Sequence, residues 1–261
     1  MTLLRRLTYY ARSIPVALLG FSNPLQIALA AARRSPFVAH LRNGARFSAR
    51  SAMDAWVIKE TCLDRDYERA GATLKDGDTV VDIGAGLGDF AISVARRFPR
   101  ARVLAFEPFG ESFGLLQRNI AENGLNNVEA HRMAIGASRG EVRLSLETGV
   151  AVQHSTVREG GDLGEHIEQR PLGEALESLG ATRCDFLKLD CEGAEYDILQ
   201  RAAEDGTLDR IGTIAMEYHD GVTHYSGAWL ANLLRQRGFG VVLRRNPAHD
   251  HIGFLYAVRS A

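Results

Sequence analysis

The chain has 261 residues, 46% of them hydrophobic, enough for one large domain or two small ones with a real core. A net charge of −1 and a pI near 6.7 argue against a protein that coats nucleic acid through bulk electrostatics. Three scattered cysteines, Cys62, Cys184 and Cys191, with no C-x-x-C pair, suit reduced thiols in a cytoplasmic protein better than a disulfide framework or a zinc site.

In chain order, Arg5, Arg6 and Arg12 precede the run IPVALLGFSNPLQIALAAA, which ends at Arg33 and Arg34. Ser22, Asn23, Pro24 and Gln26 interrupt it, and Pro15 and Pro24 spoil the continuous helix that a bilayer span of roughly 20 apolar residues needs. Helices packed on the domain, or unstructured chain, are the first expectation. The alternatives are a basic amphipathic segment touching the inner face of a membrane and a cleaved signal. FVAHLRNGARFSARS, residues 37–51, alternates around Asn43-Gly44 and predicts a β-hairpin with a type I′ turn. AMDAWVIKETCLDRDYERAG follows as a helical stretch. Residues 1–70 thus read as an extension of helices plus hairpin, and residues 71–261 as one α/β domain.

From Thr79 the pattern becomes strand, glycine turn, helix, repeated. TVVDIGAG, RVLAFEP, NVEAHRMAI, CDFLKLD and RIGTIAMEYH read as strands with helices between them. GEVRLSLE reads as an added antiparallel strand, and 149–164 as a long polar passage. PLGEALESLG has proline at the start and glycine at the stop of a helix. GVVLRR and HIGFLYAV, separated by a short loop, predict a closing antiparallel hairpin. The sum is a mostly parallel sheet with helices on both faces.

Ligands of such sheets bind beyond the carboxyl ends of the strands. Gly84, Gly86 and Gly88 form a G-x-G-x-G turn, but Asp89 stands where a dinucleotide fingerprint wants glycine. An acid there would repel a pyrophosphate, so the turn suits a ligand without phosphates, whose ammonium would meet Asp82. Glu107, closing the next strand, is placed to accept hydrogen bonds from two ribose hydroxyls. Ala134, between Met133 and Ile135, should flank an adenine.

The motifs VVDIGAGLGDF, AFEP, NIAENG, DFLKLDCEGAEYDIL and IAMEYH, in this order and spacing, resemble the FkbM family of S-adenosylmethionine-dependent methyltransferases. The first two are common to class I methyltransferases; the K-x-D-x-E-G-x-E segment followed by E-x-H points to FkbM. The resemblance covers about Thr79 to Ala257. It implies a Rossmann-like seven-stranded sheet and methyl transfer to a hydroxyl, often on a sugar or polyketide-like product. The expected acceptor is therefore a glycan or small-molecule hydroxyl. The alternatives are a nucleic-acid methyltransferase, carried by Arg33, Arg34, Arg42, Arg46 and Arg50, and a non-catalytic cofactor-binding protein.

A hydroxyl is a poor nucleophile until a base or metal acts on it. Asp190 lies where its strand opens into the cleft, and Glu217 and His219, two apart, share a strand face. Two mechanisms stay open: His219 as general base, or Mg²⁺ held by Asp190, Glu192 and Glu217. Lys188, inside a strand, is costly unless paired; its expected partner is Asp190 or an acceptor oxygen. Glu195 in the next helix's first turn is favoured by the macrodipole in any case. Glu60 and Tyr67 read first as packing residues, with cover over the cofactor as the alternative; His154, Ser155 and Thr156 lie in a passage that could cover an acceptor, but such residues are ordinary in loops.

Overall fold

The computed structural model describes residues 3–145, 164–246, 249 and 251–260; the polar passage with His154, Ser155 and Thr156 lies outside them. The chain opens with helices α1 (Leu3–Gly20) and α2 (Pro24–Ala32), the strands β1 (Phe37–His40) and β2 (Arg46–Ala49), and helix α3 (Ala52–Ile58), which runs into a π-helical turn (Lys59–Asp64). Then β3 (Thr79–Ile83), α4 (Asp89–Arg97), β4 (Arg102–Phe106), α5 (Gly110–Glu122) and β5 (Val128–His131) alternate. The short strands β6 (Ala134–Ile135), β7 (Gly140–Ser145) and β8 (Gly164–Arg170) follow. The chain closes with α6 (Leu172–Ser178), β9 (Cys184–Leu189), α7 (Glu195–Glu204), β10 (Ile211–His219), α8 (Gly227–Gln236), β11 (Phe239–Arg245) and β12 (Ile252–Arg259).

Seven strands form one sheet in the order β11–β12–β10–β9–β3–β4–β5. The five from β5 to β10 are parallel, and β12 and β11 are antiparallel additions, as the short loop between them predicts. The central strands are nearly continuous apolar runs because helices cover both faces. Phe90, Val94, Leu116 and Phe186 fill one face under α4 and α5. Leu176, Leu199, Leu230 and Met216 fill the other under α6, α7 and α8.

Three local expectations change. NVEAHRMAI is not one strand: it breaks after His131, and Ala134–Ile135 leaves the main sheet to pair with β8. GEVRLSLE is antiparallel, but its partner is β8, a strand that no apolar alternation marks in the sequence, in a separate three-stranded sheet. Phe109, Ala134, Leu144 and Ile167 fill the small core beneath it, which gives the departure from the main sheet its reason. The hairpin forms, but not with a type I′ turn: Leu41 N–H donates to Ala45 O at 2.9 Å, and only Gly44, at φ 87°, is left-handed. That is a three-residue loop closed by an αL glycine.

The hairpin docks on the sheet domain. Phe47, Leu41 and Ile58 share a core with Leu87 and Ile92. Asn119 on α5, fully buried, receives Ser48 N–H at 2.7 Å and donates to Ser48 O and Leu87 O at 3.2 and 2.8 Å. Asn119→Leu leaves those three backbone groups without a partner. It is expected to destabilise the protein by about 2–4 kcal/mol, read as a lower urea midpoint at unchanged slope.

Candidate active site

The chain runs outward from β3 to β4 and β5, then returns to the other side of β3 with β9. The cleft opens over the carboxyl ends of these strands, at that reversal. Its floor is the glycine turn after β3. Gly84 N–H and Ala85 N–H both donate to Phe106 O at 3.0 Å. At Gly84, with φ 73°, a Cβ would stand 1.9 Å from the carbonyl oxygen of Asp190, so only glycine lets β3 and β9 meet here. At Gly86, with φ 55°, a Cβ would meet nothing within 4 Å, although the residue lines the cleft. The turn presents bare backbone to a ligand.

Glu107 closes β4 and faces the same cleft. Its Oε2 accepts Gly86 N–H at 2.7 Å and its Oε1 accepts Phe109 N–H at 2.9 Å, which fixes the carboxylate and leaves lone pairs toward the cleft. Burial pushes its carboxyl up to about 7, against the lowering effect of the two amides. Met133, Ala134 and Ile135, the residues expected to flank an adenine, form an apolar wall of the same cleft.

Asp82 departs from its expected role. It is fully buried and does not line the cleft, so it cannot meet a ligand's ammonium. Its Oδ1 instead lies 3.0 Å from Lys188 Nζ, which also donates to Gly84 O at 2.7 Å. The lysine's partner is thus Asp82 across the strands, not Asp190 along its own strand, because Asp82 and Lys188 are register partners in β3 and β9. Burial pulls Lys188 down, but the carboxylates of Asp82, Asp190 and Asp89 outweigh it and hold the ammonium above the ordinary lysine value. Lys188 still touches the cleft wall and lies under the Tyr67 ring, 5.4 Å from its centre.

Asp190 opens into the cleft as expected, and Tyr67 O–H donates to its Oδ2 at 2.9 Å. Tyr67 packs edge-on to Phe90 and Phe254 and also lines the cleft. Its hydroxyl role depends on a contact 123 residues away that no local signal carries. Glu217 is half-buried, and burial, then the Asp190 carboxylate, hold its carboxyl well above the usual range. Glu60 is not on the cleft: its Oε1 accepts Trp56 Nε1–H at 2.7 Å and the Tyr9 hydroxyl.

The strand-to-helix turn after Asp190 is strained. Glu192 is left-handed at φ 54°, and Gly193 follows at φ 110°. Glu195 holds that turn: fully buried, it accepts Cys191 N–H at 2.7 Å and Gly193 N–H at 2.8 Å. It also faces His219, whose Nδ1 lies 3.3 Å away, while Nε2 lies 3.5 Å from Glu192. Burial lowers His219, but Glu195, Asp190 and Glu192 together push it up to about 10. An imidazolium accepts no proton, so this geometry does not favour His219 as the base. The expected cation ligands do not converge either. The group whose ligand atoms lie within 4.8 Å of one another is Asp190, Glu195 and His219, without Glu192 or Glu217. That group includes an imidazole nitrogen, whereas Mg²⁺ takes oxygen ligands.

The extension supplies part of the wall. Arg50, Asp54 and Val57 line the cleft beside Ser112. Arg50 pairs with Asp54 at 3.1 Å and donates to Ser112 Oγ at 3.2 Å. Ser51, whose Oγ caps α3 by accepting Asp54 N–H at 3.3 Å, marks the helix start in the sequence. That the helix faces the cleft is decided by docking 62 residues away.

Fold and cleft together define a Rossmann-like methyltransferase. Residues 82–241 match the methyltransferase FkbM domain, and the chain belongs to that family. Relatives include the 31-O-demethyl-FK506 methyltransferase FkbM of Streptomyces tacrolimicus, 29% identical over 79% of this chain and 90% of the relative. Methyltransferase 1 of Beauveria bassiana is 26% identical over 73% of this chain and 82% of its own length. The AMB antimetabolite synthetase AmbE of Pseudomonas aeruginosa is 28% identical, but the matching part is 11% of that protein. The crystal structure of methyltransferase FkbM from Methylobacillus flagellatus shares the fold at 18% identity and a TM-score of 0.50, covering 78% of this chain and 53% of that one.

The buried Asp82–Lys188 pair is expected to matter as a unit. Lys188→Met strands a buried carboxylate and should lower stability by about 3–5 kcal/mol in chemical denaturation. The double variant Asp82→Asn/Lys188→Met should recover a large part of that loss, which a mere packing role for Lys188 would not allow.

Proposed function

We propose that the protein is an S-adenosylmethionine-dependent O-methyltransferase whose acceptor is a hydroxyl of a sugar in a glycan or glycolipid. The observation that carries this reading is the convergence of Glu107 and Asp190 on one cleft, with the bare turn at Gly86 between a donor side and an acceptor side. The residues present fit the cofactor. Glu107 has free lone pairs for two ribose hydroxyls, the wall of Met133, Ala134 and Ile135 suits an adenine, and nothing fills the space above Gly86. When bound, the cofactor supplies a methyl already activated by its sulfonium.

What remains for the protein is alignment and removal of the acceptor's proton. Asp190 is the group placed for the second task. Tyr67 O–H fixes one of its oxygens, leaving the other for an acceptor hydroxyl. Glu217 and His219 do not line the cleft; Glu217, its carboxyl raised by burial and by Asp190, stays neutral, and the His219 imidazolium balances the acidic turn. Carboxylates at the cleft suit an acceptor rich in hydroxyls, and the relative named for 31-O-demethyl-FK506 supports oxygen as the methylated atom.

Calorimetry should detect S-adenosylmethionine binding, and its affinity should rise about tenfold from pH 6 to pH 8. The carboxyl of Glu107, at about 7, binds ribose best when ionised. Glu107→Gln should bind about 10–100-fold more weakly, without that pH dependence. No heat with this cofactor would overturn the assignment. Asp190→Asn should keep cofactor affinity and lower kcat by about 10²–10⁴. In cells carrying that variant, mass spectrometry should find a surface sugar lighter by one methyl; an unchanged glycan profile would overturn the acceptor class.

A further inference from the structure

The charge of this chain is segregated. Residues 1–53 contain eight arginines and no aspartate or glutamate, a net of +8, which leaves the rest of the chain at −9. The same stretch holds the exposed apolar side chains. Among the described residues ten large hydrophobics are exposed, and eight of them, from Tyr10 to Met53, lie here. Such clustering on one segment is the signature of an interaction surface rather than of scattered surface leucines.

The pattern follows the helices. On α1, Tyr10, Ile14 and Leu18 are spaced four apart and form one stripe, with Leu19 beside it at 72% exposure. On α2, Leu25, also 72% exposed, and Leu29 repeat that spacing, and no residue of this helix is buried although its sequence is PLQIALAAA. The helix is not a loose end. Asn23 at its start donates to Val38 O at 2.8 Å and accepts His40 N–H at 2.9 Å, which anchors α2 to the hairpin. At its far end Arg33 and Arg34 are exposed, and so are Arg42 and Arg46 on the hairpin. None of these four has a carboxylate partner among the described residues.

We infer that α1, α2 and the hairpin form a docking surface for an anionic lipid bilayer. Exposed leucines enter the headgroup boundary, and unpaired arginines meet lipid phosphates and acidic headgroups. Nucleic acid would match the arginines but offers nothing to Leu18, Leu19, Leu25 and Leu29. A neutral apolar partner would leave the arginines without a counter-charge. No described helix is long and apolar enough to cross the bilayer, so the segment lies on the surface.

The test is sedimentation of the full chain with vesicles of phosphatidylcholine alone or mixed with phosphatidylglycerol. Binding to the mixed vesicles is expected, about tenfold weaker on phosphatidylcholine alone and weakened by salt. Leu25→Glu/Leu29→Glu and Arg33→Glu/Arg34→Glu should each reduce it about tenfold while melting temperature and cofactor binding stay unchanged. Equal binding to both vesicle types, or none, overturns the inference. So does a wild-type dimer that Leu25→Glu/Leu29→Glu converts to monomer, because the face would then join two copies of this chain.

Discussion

The site is organised around the buried ammonium of Lys188. Lys188 Nζ sits between the Asp82 carboxylate and the Gly84 carbonyl, and so ties β9 to β3 at the place where the strand order reverses. An ammonium taken out of water is costly unless it is paired and hydrogen-bonded, and here both conditions are met by groups of a neighbouring strand. The strands must therefore stay in one register. With them stay the glycine turn on β3 and Asp190, two residues beyond Lys188. Asp190 N–H donating to Ile83 O at 3.1 Å, and the close approach at Gly84, complete the clamp.

The carboxylates beyond the clamp divide their labour by burial. Glu107 is held by two amides and faces the cleft; Glu195 is held by two amides and faces the protein. Both look alike in the sequence, as acids near strand ends, but their surroundings assign them opposite tasks. Asp190 and Glu217 are neighbours in a tight space, and burial together with mutual repulsion keeps a proton on Glu217. His219 between Glu192 and Glu195 is kept charged by the same electrostatics. The acids around Asp190 are thus partly neutralised by their own neighbours, Glu217 by a proton and Glu192 and Glu195 by the imidazolium.

The N-terminal extension belongs to this arrangement physically as well as by sequence order. Its hairpin shares a core with Leu87 of the glycine turn and Ile92 of α4, and Arg50 reaches Ser112 on α5. The polar bonds made by Asn119 fix this docking. The extension thereby walls the cleft with one side and presents apolar and basic side chains to solvent with another.

Much of the fold was legible in the residues because its signals are local. Apolar runs of strand length, glycines at turns, and Pro and Gly at the ends of a helix report their own conformations, and the parallel sheet with its closing hairpin follows from their alternation. That Glu107, Gly86 and Asp190 share one cleft was legible for the same reason: a strand end is readable, and strand ends of such a sheet converge. Pairing was not legible. Whether Lys188 meets Asp82 or Asp190, whether Tyr67 packs or donates to a carboxylate, and whether Ala134 stays in the main sheet or joins β8 depend on residues tens to more than a hundred positions apart. Protonation was hidden too, since the charge on His219 is set by carboxylates from another strand-to-helix turn and by burial that no window of sequence contains. Local propensity determined the elements; register and desolvation, which exist only in the folded chain, decided which side chains face the ligand and which hold the protein together.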